Sequence, residues 1–189
     1  MITVLMATYQ GRQYLEQQLD TILAQTVPVK ILISDDGSDD GTREMLDNYA
    51  GWYPEQVVLH HRTEHTGGAA GNFFWLMQEA LKDEKNEYIL FSDQDDVWEN
   101  DKVSVMLHRM KVLEKGLGSA CPILLYSDME VVDEELYEIS PSFASYTHQD
   151  PDRSSFAELL VENQVTGGAS MINRALLMRC AKAPEVCCM

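Results

Sequence analysis

Tyr88-Ile89-Leu90-Phe91-Ser92-Asp93-Gln94-Asp95-Asp96 runs from an apolar, strand-like segment straight into an acidic cluster, with three carboxylates in its last four residues. A buried strand that ends this way delivers its carboxylates to one edge of the sheet. Oxygen donors of this kind select hard cations such as Mg²⁺, Mn²⁺ or Ca²⁺ over softer metals. In open α/β sheets the ligand crevice lies beyond the carboxyl ends of the strands. The stretch therefore predicts both a fold and the place of its site.

Around it the pattern alternates strand and helix. Ile2 to Met6 is a short apolar run ending in the loop Ala7-Thr8-Tyr9-Gln10-Gly11, and Leu15, Leu19, Ile22 and Leu23 then recur at helical spacing, predicting a helix over 12–25. Val29 to Ser34 predicts a second strand. Asp35 to Gly41 follows as loop and helix start, with Ser38, Asp39 or Asp40 as N-cap, before a helix carrying Met45, Leu46 and Tyr49. A third strand is expected at Val57 to His60, a helix with Phe73, Leu76, Met77, Ala80 and Leu81 inward, and a fourth strand at Glu87 to Ser92. The next helix turns Val103, Met106, Leu107, Met110 and Leu113 inward. Further strands are expected at Ile123 to Tyr126, Glu130 to Val132 and Gln164 to Asn173. Residues 138–153 read as a surface loop, Ser154 as the cap of a helix through Leu160, and Arg174 to Lys182 as a last helix. Strands alternating with helices of about 10 to 15 residues predict βαβ units and a mostly parallel sheet flanked by helices.

The length of 189 residues suits one domain able to bury a core. A formal net charge of −17 argues against a nucleic-acid partner, because a phosphate polymer would be repelled. No apolar run approaches the roughly 18 residues expected of a membrane-spanning helix. The N-terminus enters a strand at once, so no signal peptide and a cytoplasmic location are expected. Cys121, Cys180, Cys187 and Cys188 match no zinc spacing and are expected as free thiols.

Three loops should meet at one sheet edge: Ala7 to Gly11, Asp35 to Gly41 and Asp93 to Trp98. Two of them are rich in carboxylates, which calls for a metal or hydrogen-bond donors between them. Asp35-Asp36-Gly37-Ser38 is equally the composition of a turn and helix cap. Asp93 and Asp95, at i and i+2 in a loop, can share one cation or divide between a metal and a ribose; alone such a pair is also what a solvated acidic loop carries, and its position after a strand rather than in a charge run raises it. Asp96 is expected to point away or to bond the loop backbone, and Trp98 to pack. Gly67 to Asn72 either cradles a phosphate at a helix N-terminus or is simply a flexible loop. The histidines show no ligand spacing, and Asp128, Asp133 and Glu134 read as solvated turn residues.

With those residues in place the chain resembles a family 2 glycosyltransferase of the GT-A fold. The matching motifs, in order, are Met6 to Gly11, Ser34 to Thr42, Gly71-Asn72-Phe73, Ser92 to Trp98, and Thr166-Gly167-Gly168-Ala169 with Asn173-Arg174. The Ser-Asp-Gln-Asp-Asp-Val-Trp form is similar to the rhamnosyltransferase subgroup of cell-surface polysaccharide synthesis. The resemblance implies that Ala7, Thr8, Tyr9 and Asp36 hold the base of a nucleotide-sugar and that Asn72 belongs to the same site. It implies that Asp93 sits near ribose and metal, and that Asp95 ligates Mg²⁺ or Mn²⁺ bridging to the diphosphate.

The implied reaction is metal-dependent and inverting. A sugar passes from a donor such as dTDP-rhamnose or a UDP-sugar to a glycan or lipid-linked glycan acceptor, a setting compatible with peripheral membrane association. The family's general base lies beyond the Thr-Gly-Gly strand and its following helix, where no residue of this chain matches it. The catalytic residue is therefore unassigned, and residues 1–189 are expected to be a single domain lacking its C-terminal part. Three other readings stay open: a nucleotidyltransferase, a non-catalytic remnant that binds nucleotide or metal, and, weakest for want of EF-hand spacing, an acidic calcium-binding scaffold.

Overall fold

β1 (Ile2–Thr8) is buried along almost its entire length, the pattern of a strand covered by helices on both faces. In the computed structural model, which describes residues 1–63, 67–150, 153, 155 and 165–181, β1 lies inside a six-stranded sheet. The strands on one side are β2 (Lys30–Asp35) and β3 (Val57–His61), both parallel to it. On its other side β4 (Tyr88–Ser92) pairs in parallel, with Ile2 opposite Tyr88 and Met6 opposite Ser92. Then come β8 (Ser170–Asn173), antiparallel to both neighbours, and β5 (Leu124–Tyr126). The sheet is mostly parallel, as expected.

The helices divide between the faces. On one, α1 (Leu15–Leu23), α2 (Thr42–Trp52) and α4 (Lys102–Leu117) bury Leu15, Leu19, Leu46, Val103 and Met110 against Val4, Met6, Ile31 and Ile33. On the other, α3 (Ala69–Leu81) and α6 (Arg174–Cys180) bury Leu76, Met77 and Leu177 against Leu5, Leu32 and Ile89. The alternation of inward residues along each strand feeds the two cores separately. From β1 the chain builds outward through β2 to β3, then crosses back under α3 to lay β4 on the far side of β1. That reversal opens a crevice between the carboxyl ends of β1 and β4.

Several elements differ from expectation. Residues 138–153 are not all loop: β7 (Glu138–Ser140) pairs with β6 (Val131–Val132) in a hairpin, and α5 (Phe143–Tyr146) follows. Ile139 and Tyr137 face solvent there, so the strand carries no inward apolar pattern. α1 begins at Leu15 rather than 12, because the Gly11 carbonyl accepts from the Tyr14 and Leu15 N–H groups and forms a turn first. The strand expected from Gln164 starts only at Ser170, with a 3₁₀ turn at Gly167–Ala169 before it. The N-cap position of α2 is Gly41, yet Asp40 serves from one residue outside, accepting from the Thr42 N–H at 3.0 Å. The helix expected from Ser154 through Leu160, Gln164, Lys182 and the two C-terminal cysteines lie outside the described residues. Cys121 and Cys180 are free thiols.

Candidate functional site

A cleft of about 740 Å³ occupies the crevice between β1 and β4. All seven residues singled out from sequence line it: Ala7, Thr8, Tyr9, Asp36, Asn72, Asp93 and Asp95, together with Gly67, Gly68, Ala69 and Gln94. They come from four separate segments, gathered because β1, β2 and β4 are neighbours with their carboxyl ends together and α3 starts at the same edge. Trp98, Arg12, Lys30 and Arg43 do not line the cleft.

The acidic pair after β2 divides its work. Asp35 is wholly buried and serves structure. Its carboxylate accepts from the Ser38 N–H at 3.1 Å, from the Ser38 hydroxyl, and from Arg43 Nε at 2.8 Å. Burial pushes this carboxyl up, but the hydrogen bonds from Ser38 and Arg43 outweigh it and hold it below 3.8. Asp36, 6% exposed, lines the cleft, its N–H donating to the Thr8 carbonyl at 3.0 Å. Thr8 turns its hydroxyl toward Asp35 Oδ1, 3.3 Å away. Asn72, 2% exposed, donates through Nδ2 to the Ser34 carbonyl at 2.9 Å and so ties α3 to β2. Its Oδ1 is buried with no partner among the described residues.

The loop after β4 is different in kind. Asp93 and Asp96 are partly buried, whereas Asp95 is exposed at the cleft. Burial raises the Asp93 carboxyl, the Asp96 and Asp95 charges raise it further, and Lys102 offsets part of this. Burial raises Asp96 as well, against the pull of Lys102. Lys102 is in turn brought down to about 8, burial outweighing its acidic neighbours. Its ammonium donates to the Gly168 carbonyl at 2.7 Å and stands 4.0 Å from the centre of the Trp98 ring. Trp98, 2% exposed, packs in the core as expected. Asp96 does turn from the cleft, toward Gly168, where an added Cβ would meet Asp96 Oδ2 at 2.6 Å. The glycine lets the two segments touch.

Two residues escaped the sequence reading. Lys102 is the first basic side chain after the acidic cluster, a signal that clustered carboxylates make worth following. Gln94 left no such signal: its side-chain amide pairs with the Tyr9 backbone across the cleft. Asp128 and Asp133 prove to be turn anchors. Asp128 Oδ1 accepts from the Met129 and Ala144 N–H groups, and Asp133 Oδ1 from those of Glu135 and Tyr137.

Among the described residues no three His, Cys, Asp or Glu side chains form a metal cage. The donor set at the cleft is the pair Asp93 and Asp95. Carboxylate oxygens in that number suit a small hard cation that keeps waters and takes its remaining ligands from a substrate phosphate.

The sequence matches the family model of Glycosyl transferase family 2 over residues 3–179. It is similar to the dTDP-rhamnosyl transferase RfbG of Shigella flexneri, 39% identical over 99 residues, or 52% of this chain and 34% of that protein. It is also similar to TuaG of Bacillus subtilis, a glycosyltransferase assigned to teichuronic acid biosynthesis. Identity there is 31% over 177 residues, covering 92% of this chain and 66% of TuaG. The 1–349 form of S. aureus TarS superimposes with a TM-score of 0.58 at 18% identity, covering 94% of this chain and 48% of that one. The complex of TarS 1–349 with UDP-GlcNAc gives 0.54 at 18% identity, over 70% and 35%. The fold is shared. The chain spans between about a third and two thirds of the length of these curated relatives.

Proposed function

The chain belongs to glycosyl transferase family 2, and from that membership we propose that it binds a nucleotide-sugar in the β1/β4 cleft for transfer to a glycan acceptor. The observation that carries the reading is convergence: Ala7 to Tyr9, Asp36 and the Asp93/Asp95 pair, widely spaced in the chain, line one cleft. The likeness to RfbG supports a dTDP-activated sugar, and the likeness to RfbG and TuaG supports a role in cell-surface polysaccharide synthesis.

In this reading the base lies against Ala7, Thr8 and Tyr9, with the Asp36 carboxylate as acceptor for a base N–H. Asn72 Oδ1, buried and without a partner among the described residues, offers a second acceptor at the same end. The glycine-rich start of α3 faces the diphosphate, where the positive end of the helix favours an anion. Asp95, with Asp93, would hold Mg²⁺ or Mn²⁺. When bound, the cation supplies positive charge to the diphosphate as it leaves. Behind the acidic loop the Lys102 ammonium donates to the Gly168 carbonyl, and Asp96 stands beside that glycine.

The reaction proposed is attack by an acceptor hydroxyl at the anomeric carbon, with inversion and departure of the nucleoside diphosphate. No general base is assigned: the carboxylates of Asp128 and Asp133 are engaged by backbone N–H groups. No helix among the described residues is long and apolar enough to cross a membrane. We place the chain in the cytoplasm, meeting a glycan or lipid-linked acceptor at the membrane face. Against a nucleotidyltransferase stands the absence of Arg12, Lys30 and Arg43 from the cleft lining, since a triphosphate calls for cations there.

Product analysis tests the proposal. The chain is incubated with dTDP-rhamnose, UDP-glucose or a nucleoside triphosphate, each with Mn²⁺ and a lipid-linked acceptor. Release of dTDP or UDP with a sugar-extended product of inverted anomeric configuration is expected. Pyrophosphate release from the triphosphate would replace the proposal with nucleotidyl transfer.

A further inference from the structure

Gln94 stands between the two candidate metal ligands, yet its own side chain reaches the opposite wall. Its Oε1 accepts from the Tyr9 N–H at 2.9 Å, and its Nε2 donates to the Tyr9 carbonyl at 2.9 Å. One side-chain amide thus makes the donor–acceptor exchange that a whole residue makes in a strand ladder. The position matters because parallel pairing of β1 with β4 ends at Met6 and Ser92. Beyond that point the two backbones separate to form the crevice, and the Gln94 amide bridges the gap they leave.

The slot for this amide is built. A Cβ on Gly11 would lie 2.6 Å from Gln94 Cδ, so any larger residue at 11 expels the glutamine. Gly11 has little freedom to withdraw. Its N–H donates to the Thr42 hydroxyl at 2.9 Å, and its carbonyl accepts from Tyr14 and Leu15 at the start of α1. Polarity is fixed as well. Turning the amide over would set its nitrogen against the Tyr9 N–H and its oxygen against the Tyr9 carbonyl, and a glutamate would oppose that carbonyl with a charged oxygen.

We propose that Gln94 is a positioning residue that sets the offset between Tyr9, at the base end of the cleft, and Asp93/Asp95, at its diphosphate end. The inference rests on the donor-site reading above. A nucleoside diphosphate spans both walls, so its affinity depends on their spacing. Breaking the clasp leaves each wall intact but loses their register.

The test is titration of dTDP and UDP, with Mn²⁺, into wild-type chain and four variants: Gln94→Glu, Gln94→Ala, Gly11→Ala, and Gly11→Ala combined with Gln94→Ala. Losing the paired bonds is expected to weaken binding about tenfold in each single variant. In the combined variant the alanine at 11 should add nothing to the loss from Gln94→Ala, because its clash partner is gone. Melting without ligand should change little, which separates positioning from general stability. Unchanged affinity in both Gln94→Glu and Gln94→Ala, or a Gly11→Ala loss that is the same with and without Gln94, overturns the clasp alone. A wild-type chain that binds neither nucleotide overturns the donor-site reading, and the clasp's role with it.

Discussion

Asp35 and Asp36 adjoin in sequence, but one side chain is enclosed by Ser38, Arg43 and Thr8 while the other lines the cleft. The composition Asp-Asp-Gly-Ser allowed a turn or a ligand site, and the structure puts Asp35 in the turn and Asp36 on the cleft wall. Arg43 gives Asp35 a charged donor, and without it the buried carboxylate keeps only hydroxyl and backbone donors. Truncating one partner of a fully buried ion pair costs about 3–5 kcal/mol. The Arg43 side chain is 40% exposed, so Arg43→Ala is expected to cost less, about 2 kcal/mol. That is roughly 4–8 °C in melting temperature for a chain of this size. The sign with pH follows from a carboxyl held below 3.8 in the fold. Its stabilisation is complete above the unfolded value and is lost as pH falls through the folded one. The melting gap between wild type and Arg43→Ala should therefore be full at neutral pH and close below about pH 4. A gap that does not change with pH would contradict this account of Asp35.

At the scale of elements, Asn173 joins more of the fold than its place at the end of a strand suggests. Its Oδ1 accepts from the Leu176 N–H, capping α6, and from the Ile123 N–H ahead of β5. Its Nδ2 donates to the Cys121 carbonyl at 2.8 Å and to Glu114 at 3.1 Å on α4. Asn173→Ala removes a helix cap, about 1 kcal/mol, and strands buried groups at about 1–3 kcal/mol each. A total near 3 kcal/mol is expected, measured by urea denaturation, and a loss below 1 kcal/mol would show that water replaces these bonds. Arg174 beside it donates to carbonyls of Leu81, Asp83 and Asn86 at the end of α3, so the Asn-Arg pair serves two helices.

Elements with an inward apolar period were readable. Leu15, Leu19 and Ile22 recur at helical spacing and all are fully buried in α1. Of the β6–β7 hairpin, β6 was expected at Glu130 to Val132, but β7 was not readable, because Ile139 faces outward and the pairing is set by Asp133 turning the chain. At the site, the carboxylates could be read because their chemistry is local to one loop. The Gln94 bridge and the Lys102 counter-charge arise from distant segments meeting, which no single stretch of sequence records.

For the molecule as a whole, strand order does what sequence separation hides. β1 and β4 lie more than 80 residues apart yet are neighbours, so the Tyr9 loop and the Asp95 loop face each other across one crevice. The central claim is that the Asp93/Asp95 wall holds a cation that neutralises a nucleoside diphosphate bound in this cleft, and that residues 1–189 behave as one domain in doing so. The most direct measurement is the melting temperature of wild type and Asp95→Ala with UDP or dTDP, in Mn²⁺ or Mg²⁺ and in chelator. The account predicts a rise for wild type only when nucleotide and metal are both present, and none for Asp95→Ala. A full-sized shift in the variant, or an equal shift in chelator, would contradict it.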